Sequence, residues 1–280
     1  MITEKQRQER MLGIGGSDMA IILGLSNYKT PYQLYLEKTG MVQSSDEMTD
    51  FQYWGHKLED VIRQEFAMRN NVTVECPDSI VHPFLSFMRG NVDGFIPEWN
   101  AILEVKCSAS WMASEWGEDG SDVIPMQYLV QVAHYCAITN ADCAYIAVLI
   151  GGNTYREFKY TRDMELEAKI LDAAKTFWDC VQTRTPPAAI NQVDLKLMFP
   201  KHNPEKTVTA KPEIKKQIDT LAETKFKIKQ LSEVEDKYKF NIMQFMEDAE
   251  ALVNEDGVPI VSWKANKRGT RTFLMKGATS

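Results

Sequence analysis

Gly90-Asn91-Val92-Asp93-Gly94-Phe95-Ile96-Pro97-Glu98-Trp99-Asn100-Ala101-Ile102-Leu103-Glu104-Val105-Lys106 is the stretch on which the reading of this chain turns. Two short apolar runs, 91–96 and 101–105, flank the turn-forming Pro97-Glu98-Trp99-Asn100, and this punctuation predicts a β-hairpin. Side chains two apart in a strand share a face, so Glu104 and Lys106 project the same way, and the returning strand can bring Asp93 beside them. Two carboxylates and one ammonium converging on an apolar hairpin form a site for a hard cation, with a proton acceptor or water positioner built in. The alternative is an exposed hairpin whose charges face water, and the spacing by itself does not choose.

Around this hairpin the sequence predicts a mixed α/β region over 1–200. Helices are expected to start at 17–23, capped by Ser17 or Gly16, and at 31–37, with Thr30 as cap and Pro31 at the first helical position. The 55–70 segment is amphipathic, with Leu58, Val61, Ile62, Phe66 and Ala67 at helical spacing. Strands are expected at 72–76 and 80–83, a helix at 125–139 and a buried strand at 144–149. A partner strand at 155–160 follows Gly151-Gly152-Asn153, and a long helix over 164–183 ends before Pro186-Pro187. From about 191 to 211 the chain reads as loop. Residues 213–252 place Ile214, Ile218, Leu221, Ile228, Leu231, Tyr238, Ile242, Phe245 and Leu252 at three- and four-residue steps among charged residues. This predicts a helix pair or a coiled-coil-like arm. A last hairpin is expected from 259–265 and 271–275, joined through Asn266-Lys267-Arg268-Gly269. The predicted division is therefore a domain over 1–200 and an arm over 201–280.

Composition narrows the function classes. At 280 residues, 44% hydrophobic and 25% charged, the chain has an ordinary globular make-up. A net charge of −7 excludes a generally basic nucleic-acid-coating protein but is compatible with a local positive groove. No apolar run approaches the roughly 20 residues of a membrane span. Residues 1–10 lack an apolar signal core, so a cytoplasmic location is expected. Five cysteines, odd in number and without a Cys-x-x-Cys pair, argue against disulfide frameworks, structural zinc and iron–sulfur ligation. The four histidines lack metal-ligand spacing.

Four further features bear on the hairpin. Glu59 lies one turn into the helix opened by Gly55-His56-Lys57-Leu58; it can approach a cation from the side or remain a solvated charge. Tyr128, Gln131 and Tyr135 fall at i, i+3 and i+7 on one helical face, where Gln131 could bond a metal-bound water or Lys106. The alternative is aromatic packing around a satisfied amide. Arg10 and the glycines leading to Ser17 offer an anion pocket at a helix start, although glycine-rich caps are also common for structural reasons alone. Ser108, Ser110 and Trp111 follow the lysine strand, where hydroxyls could meet a phosphate and the indole could stack, or the tryptophan could be buried.

Asp-x10-Glu-x-Lys resembles the core of the PD-(D/E)xK nuclease superfamily, with Val92-Asp93 where the name has Pro-Asp. The whole order, Arg-x6-Ser, Gly-x-x-x-Glu, Asp-x10-Glu-x-Lys and Tyr-x-x-Gln, resembles the YqaJ-like viral recombinase family, to which bacteriophage lambda exonuclease belongs. The resemblance covers about residues 10–160. It implies a restriction-endonuclease-like α/β (α+β) core, a central mixed sheet flanked by helices, with the helical arm and small hairpin appended. It implies that Asp93, Glu104 and the Val105 carbonyl bind Mg²⁺, with Mn²⁺ able to substitute, and that Lys106 activates or positions the attacking water. Glu59 and Gln131 match further active-site positions, and Arg10 and Ser17 match residues that hold a terminal 5′-phosphate; Ser108 and Tyr128 are added as substrate contacts.

The expected activity is a metal-dependent 5′→3′ exonuclease that degrades one strand of double-stranded DNA ends, leaving 3′ overhangs for phage-type annealing recombination. By resemblance the protein is a homotrimer and works with a single-strand annealing protein, which the arm could dock. Alternatives are a catalytically silent DNA-end-binding scaffold and a restriction-type endonuclease on the same fold. The cations Lys264, Lys267, Arg268, Arg271 and Lys276, beside Trp263 and Phe273, could meet DNA phosphate or simply face solvent.

Overall fold

The computed structural model describes residues 9–43 and 48–276. The chain divides into two compact units, Met1–Lys201 and His202–Ser280. In the first, the helices are α1 (Gly16–Ile22), α2 (Pro31–Lys38), α3 (Asp50–Asn70), α4 (Met126–Thr139), α5 (Met164–Thr183) and α6 (Gln192–Met198). A small antiparallel pair, β1 (Ile80–Val81) and β2 (Arg89–Gly90), precedes the main strands β3 (Gly94–Ile96), β4 (Ala101–Ser108), β5 (Cys143–Ile150) and β6 (Thr154–Thr161).

The main sheet has the order β3-β4-β5-β6. β4 and β5 are parallel, from Ala101 opposite Cys143 to Ser108 opposite Ile150, and the outer pairs are antiparallel. A parallel pair needs a crossover, and α4 supplies it. α4 is buried almost all round, at Val130 to Cys136 and at Ile138, as expected of a core helix. Because strand side chains alternate, β4 feeds two cores. Ala101, Leu103 and Val105 pack with Ile62 and Phe66 of α3, while Ile102 packs with α1, α4 and α5. Phe66 is fully buried, so truncating it to alanine should cost about 3–5 kcal/mol. On the α4 side, the positions after Ile102 are Glu104 and Lys106, polar groups where a core strand would be apolar.

Several elements differ from their sequence-based expectations. α1 is capped by Gly15, whose N–H donates to Asp18 Oδ2 (3.0 Å), rather than by Ser17 or Gly16. α3 begins at Asp50, not 55. A reciprocal Thr49–Gln52 box caps it upstream of the apolar stripe, leaving Phe51, Tyr53 and Trp54 exposed where periodicity carries no signal. The expected strand at 72–76 reduces to one bridge, Glu75 with Phe95. The first hairpin strand begins at Gly94 rather than 91. Within the expected loop of 191–211, α6 forms because the Asn191 side chain accepts from Asp194 N–H. Buried Asp194 also receives Thr30 Oγ1 (2.6 Å) and Ile190 N–H (3.0 Å), a long-range anchor invisible to local propensity.

The second unit holds α7 (Pro212–Met246) and an antiparallel sheet of β7 (Ala251–Val253), β8 (Pro259–Ala265) and β9 (Arg271–Met275). α7 is one continuous helix of 35 residues, not a helix pair, and Leu252 belongs to β7 rather than to the helical stripe. The helix stops at Glu247 (φ 46°). There Arg271 stacks over Trp263 (3.6 Å) and donates to the Glu247 carbonyl (2.7 Å), tying the helix end to the hairpin. The hairpin turn is held by Asn266, whose side-chain oxygen accepts from Arg268 N–H (2.8 Å). Among the described residues no helix is long and apolar enough to cross a membrane.

Candidate active site

β3 pairs with β4 only as far as Gly94 opposite Leu103. Past that point the edge of β4 is open, and the side chain of Asp93 takes the place of the absent strand: its Oδ2 accepts from Val105 N–H at 2.8 Å. In a ladder a residue's N–H and C=O face the same neighbour, so the Val105 carbonyl points to the Asp93 side as well. Extending the register puts Asp93 opposite Glu104. Glu104 is buried, with Oε1 accepting from Lys106 Nζ in a close ion pair and from Gln131 Nε2 at 2.7 Å. Its second oxygen, Oε2, is buried and has no hydrogen-bond partner among the described residues.

Residues 5–142, which include α1 to α4 and each of the candidate site residues, match the sequence model of the YqaJ-like viral recombinase domain. This part of the chain is a YqaJ-like viral recombinase domain. An uncharacterized protein YqaJ of Bacillus subtilis (strain 168) is 41% identical over 174 residues, 61% of this chain and 54% of that protein. The match thus spans about half of that relative's length. The crystal structure of an alkaline exonuclease (LHK-Exo) from Laribacter hongkongensis is similar with a TM-score of 0.53 at 18% identity, covering 65% of this chain and 94% of that one. A structure of LHK-Exo in complex with dAMP aligns equally well. The recombinase domain therefore has the nuclease fold expected from the sequence.

The electrostatics of the domain's site follow from crowding two acids and one base in a desolvated place. Burial raises the Asp93 carboxyl well above its usual range, and the neighbouring Glu104 charge adds to this; Lys106 and the Val105 N–H only partly oppose it. Burial also raises Glu104, against the pull of Lys106. For Lys106 burial works downward, but Glu104 and Asp93 outweigh it and hold the ammonium above its ordinary value. Ionised together, the two acids would exceed the charge that Lys106 balances, and the raised carboxyls reflect the site's resistance to that state.

An observation within the site bears on a metal. An unpartnered buried carboxylate oxygen is costly, roughly 1–3 kcal/mol or more for a charged group. Glu104 Oε2, the Asp93 carboxylate and the Val105 carbonyl are all oxygen donors at one open strand edge. Among the described residues no group of three or more His, Cys, Asp or Glu gathers. Two carboxylates with a carbonyl suit Mg²⁺ or Mn²⁺, which keep several waters, better than zinc with its nitrogen and sulfur ligands.

The remaining sequence-derived residues divide. Gln131 is in the site, but its partners are Glu104 and the Tyr135 hydroxyl (3.1 Å), not Lys106. Tyr128 lies beneath Lys106, with Nζ 5.0 Å from the ring centroid, and stacks on Trp116. Glu59 stands at the edge, where its charge is felt by Asp93 and Glu104 and is shared with Arg63 (3.5 Å) and His56 (3.6 Å). Ser108 is turned inward: buried, it receives Trp116 Nε1 (3.2 Å) and is not placed to meet a substrate phosphate. Trp111 is 82% exposed, which removes the buried alternative. Arg10 and Ser17 are both exposed, flanking the turn into α1.

Sequence reasoning missed two cations. Arg63 donates to the Asp93 carbonyl (2.8 Å) and so fixes the backbone that carries the acid. The Glu59-x-x-x-Arg63 spacing announced their pairing but not this reach. Lys38, nearly buried, holds the Arg10 and Gly13 carbonyls (2.6 and 2.7 Å) and Asp18 (2.7 Å), which shapes the Arg10–Ser17 turn. No local pattern around residue 38 signals that.

Proposed function

We propose that this chain is a metal-dependent exonuclease that degrades one strand of double-stranded DNA ends in the 5′→3′ direction, leaving 3′ overhangs for annealing recombination. The observation that carries the reading is Asp93, Glu104 and Lys106 meeting at the open edge of β4 with a Glu104 oxygen unanswered. The recombinase-domain match supports a nuclease, as does the similarity in fold to an alkaline exonuclease solved with dAMP. Asp93, Glu104 and the Val105 carbonyl would hold Mg²⁺, with Mn²⁺ able to replace it. The bound ion would acidify a water and neutralise charge growing on the phosphoryl group.

The other roles belong to this chain's own side chains. Lys106 stays an ammonium, because its neighbours hold its pKa up, and so orients the attacking water and the scissile phosphate rather than acting as a neutral base. Gln131 fixes the Glu104 carboxylate by its 2.7 Å bond, and the Tyr128 ring supports the Lys106 head. Arg10 and Ser17 grip a terminal 5′-phosphate and so bring the next phosphodiester into line. By resemblance the nuclease works as a homotrimer beside a single-strand annealing protein.

The test is digestion of duplex DNA with Mg²⁺, comparing linear 5′-phosphate ends, linear 5′-hydroxyl ends and closed circles. Faster loss of the 5′-phosphate substrate, with circles intact, is the expected result, and Asp93→Asn and Lys106→Ala should abolish it. Cutting of circles would instead indicate a restriction-type endonuclease. Binding of ends without any cleavage would indicate a silent scaffold.

A further inference from the structure

Arg89, in β2, is pinned along its backbone and left open at its guanidinium. Its N–H donates to the Ile14 carbonyl (2.9 Å), and its own carbonyl lies 2.8 Å from His134 Nε2. Its Nε donates to the Ser86 carbonyl (3.1 Å), which fixes the direction of the side chain. Strand alternation sends that side chain outward, because the next residue, Gly90, is pressed on the core: a Cβ there would stand 2.7 Å from Ile138 and 2.9 Å from Tyr135. Arg89 Cδ comes within 3.0 Å of where a Gly13 Cβ would be, so the side chain runs over the middle of the turn that Arg10 and Ser17 flank. Among the described residues no carboxylate pairs with Arg89, and its two terminal nitrogens have no hydrogen-bond partner.

The turn beneath it is stiff and close to the acids. Ile14 N–H donates to the Phe87 carbonyl (2.6 Å), which ties the turn to the strand that carries Arg89. Lys38 spends its charge on Asp18 (2.7 Å) and so braces the turn rather than meeting a ligand. A Cβ at Gly16 would stand 2.9 Å from Tyr135 Oη, which is 3.1 Å from Gln131 Nε2, itself 2.7 Å from Glu104 Oε1. The turn and the candidate metal site thus share one tyrosine. A terminal phosphomonoester carries a charge of about −1.5 to −2 at neutral pH and three strong acceptor oxygens, more than Arg10 alone can balance. We infer that Arg89 is a second arginine of the 5′-phosphate pocket, donating a pair of hydrogen bonds to the terminal phosphomonoester and setting the preference for a chain end over an internal phosphodiester. This deepens the end-binding part of the function proposed above and rests on it.

The test uses the full chain and a loop-labelled DNA hairpin with one open end, carrying either a 5′-phosphate or a 5′-hydroxyl. Binding is read by fluorescence anisotropy in chelator, where no metal-dependent cleavage can occur, and digestion of the same hairpins is followed in Mg²⁺. Wild-type protein should bind the phosphate end more tightly. Arg89→Gln should cut the ratio of the two affinities about tenfold, and the salt slope for the phosphate end should become shallower by about one. Arg89→Lys keeps the charge but not the planar fork, and its ratio should fall between the two. Damage to the fold alone would weaken both ends in proportion and leave the ratio at its wild-type value; that result in Arg89→Gln would overturn the inference. So would wild-type protein that binds both ends equally. A wild-type preference for phosphate ends that Arg89→Gln removes, with no digestion in Mg²⁺, would defeat the nuclease reading and leave the pocket standing.

Discussion

Gly16→Ala probes how the site is braced from behind. Gly16 is the first residue of α1, and a Cβ built there would stand 2.6, 2.7 and 2.9 Å from Tyr135 Cε1, Cζ and Oη. Carbon atoms settle at about 3.5 Å or more, so the ring must retreat by about 0.9 Å. It has little freedom to do so, because it also packs against Gly90, where a Cβ would come within 2.9 Å of the ring. Overpacking of this kind costs about 1–3 kcal/mol. Separating the Tyr135 hydroxyl from Gln131 adds about 1 kcal/mol, and the better helix propensity of alanine returns about 0.5–1 kcal/mol. The clash wins. Net destabilisation should be about 1–3.5 kcal/mol, a fall in Tm of roughly 2–14 °C for a unit of this size. The same shift disturbs Gln131, the brace of Glu104, and misplacing a catalytic group by about 1 Å can cost roughly 100-fold. A ten- to hundredfold loss of Mg²⁺-dependent digestion is therefore expected under conditions where the variant remains folded. Thermal melting and a single-turnover digestion assay measure the two effects. Tyr135→Phe, which loses only the hydroxyl, should cost about 1 kcal/mol and far less activity. A Gly16→Ala protein with wild-type melting and wild-type rate would refute the reasoning.

Other consequences follow from the crowded acids and from one buried imidazole. Asp93→Asn keeps an acceptor for Val105 N–H while removing a charge that burial and Glu104 disfavour, so the metal-free protein should melt about 2–4 °C higher while losing digestion. A lower Tm in chelator would count against it. Because the Asp93 carboxyl is raised, Mg²⁺ binding should expel a proton and tighten as pH rises through that carboxyl's titration. Calorimetry in buffers of differing ionisation enthalpy reads this, and identical heats would show that no proton moves. His134 is buried, its Nε2 within 2.8 Å of the Arg89 carbonyl and its pKa lowered to about 4, chiefly by burial. Its neutral form is thus built into the fold. Its contribution is intact above the unfolded value near 6.5, and falls by about 2–3 kcal/mol as pH drops toward 4. Urea unfolding at pH 7 and 4.5 should show that loss, and His134→Gln should show a shallower dependence; equal slopes would refute it.

The legible parts of this protein are those whose physics is local. The turn at Pro97–Trp99 and the alternation through β4 announced the hairpin and put Glu104 and Lys106 on one face. Thr30 with Pro31 marked the start of α2, and the i, i+3, i+7 spacing marked the Tyr128–Gln131–Tyr135 face. What escaped was set by partners distant in sequence. α6, begun by the local Asn191 cap, is fixed in place because Asp194 answers Thr30 across 164 positions. Lys38 is drawn inside by carbonyls of a turn about 25 residues earlier. Ser108 looked like a phosphate contact because the strand's alternation aligns it with Glu104 and Lys106, but the indole of Trp116 covers that end of the face. Periodicity also overreached at the arm, since a stripe of apolar residues specifies a helical face but not whether the helix folds back on itself.

Asp93 also plugs a gap in a ladder. Val105 has its amide satisfied by a side chain where a neighbouring strand would ordinarily do it, so the residue assigned to the chemistry is at the same time what keeps a raw peptide edge from recruiting a foreign strand. Loss of activity and loss of solubility are therefore coupled at this position according to the shape of the replacement. Descendants that abandon cleavage but stay well behaved should carry asparagine or serine there, which still accept the amide hydrogen, whereas alanine would leave a sticky seam open beside the site.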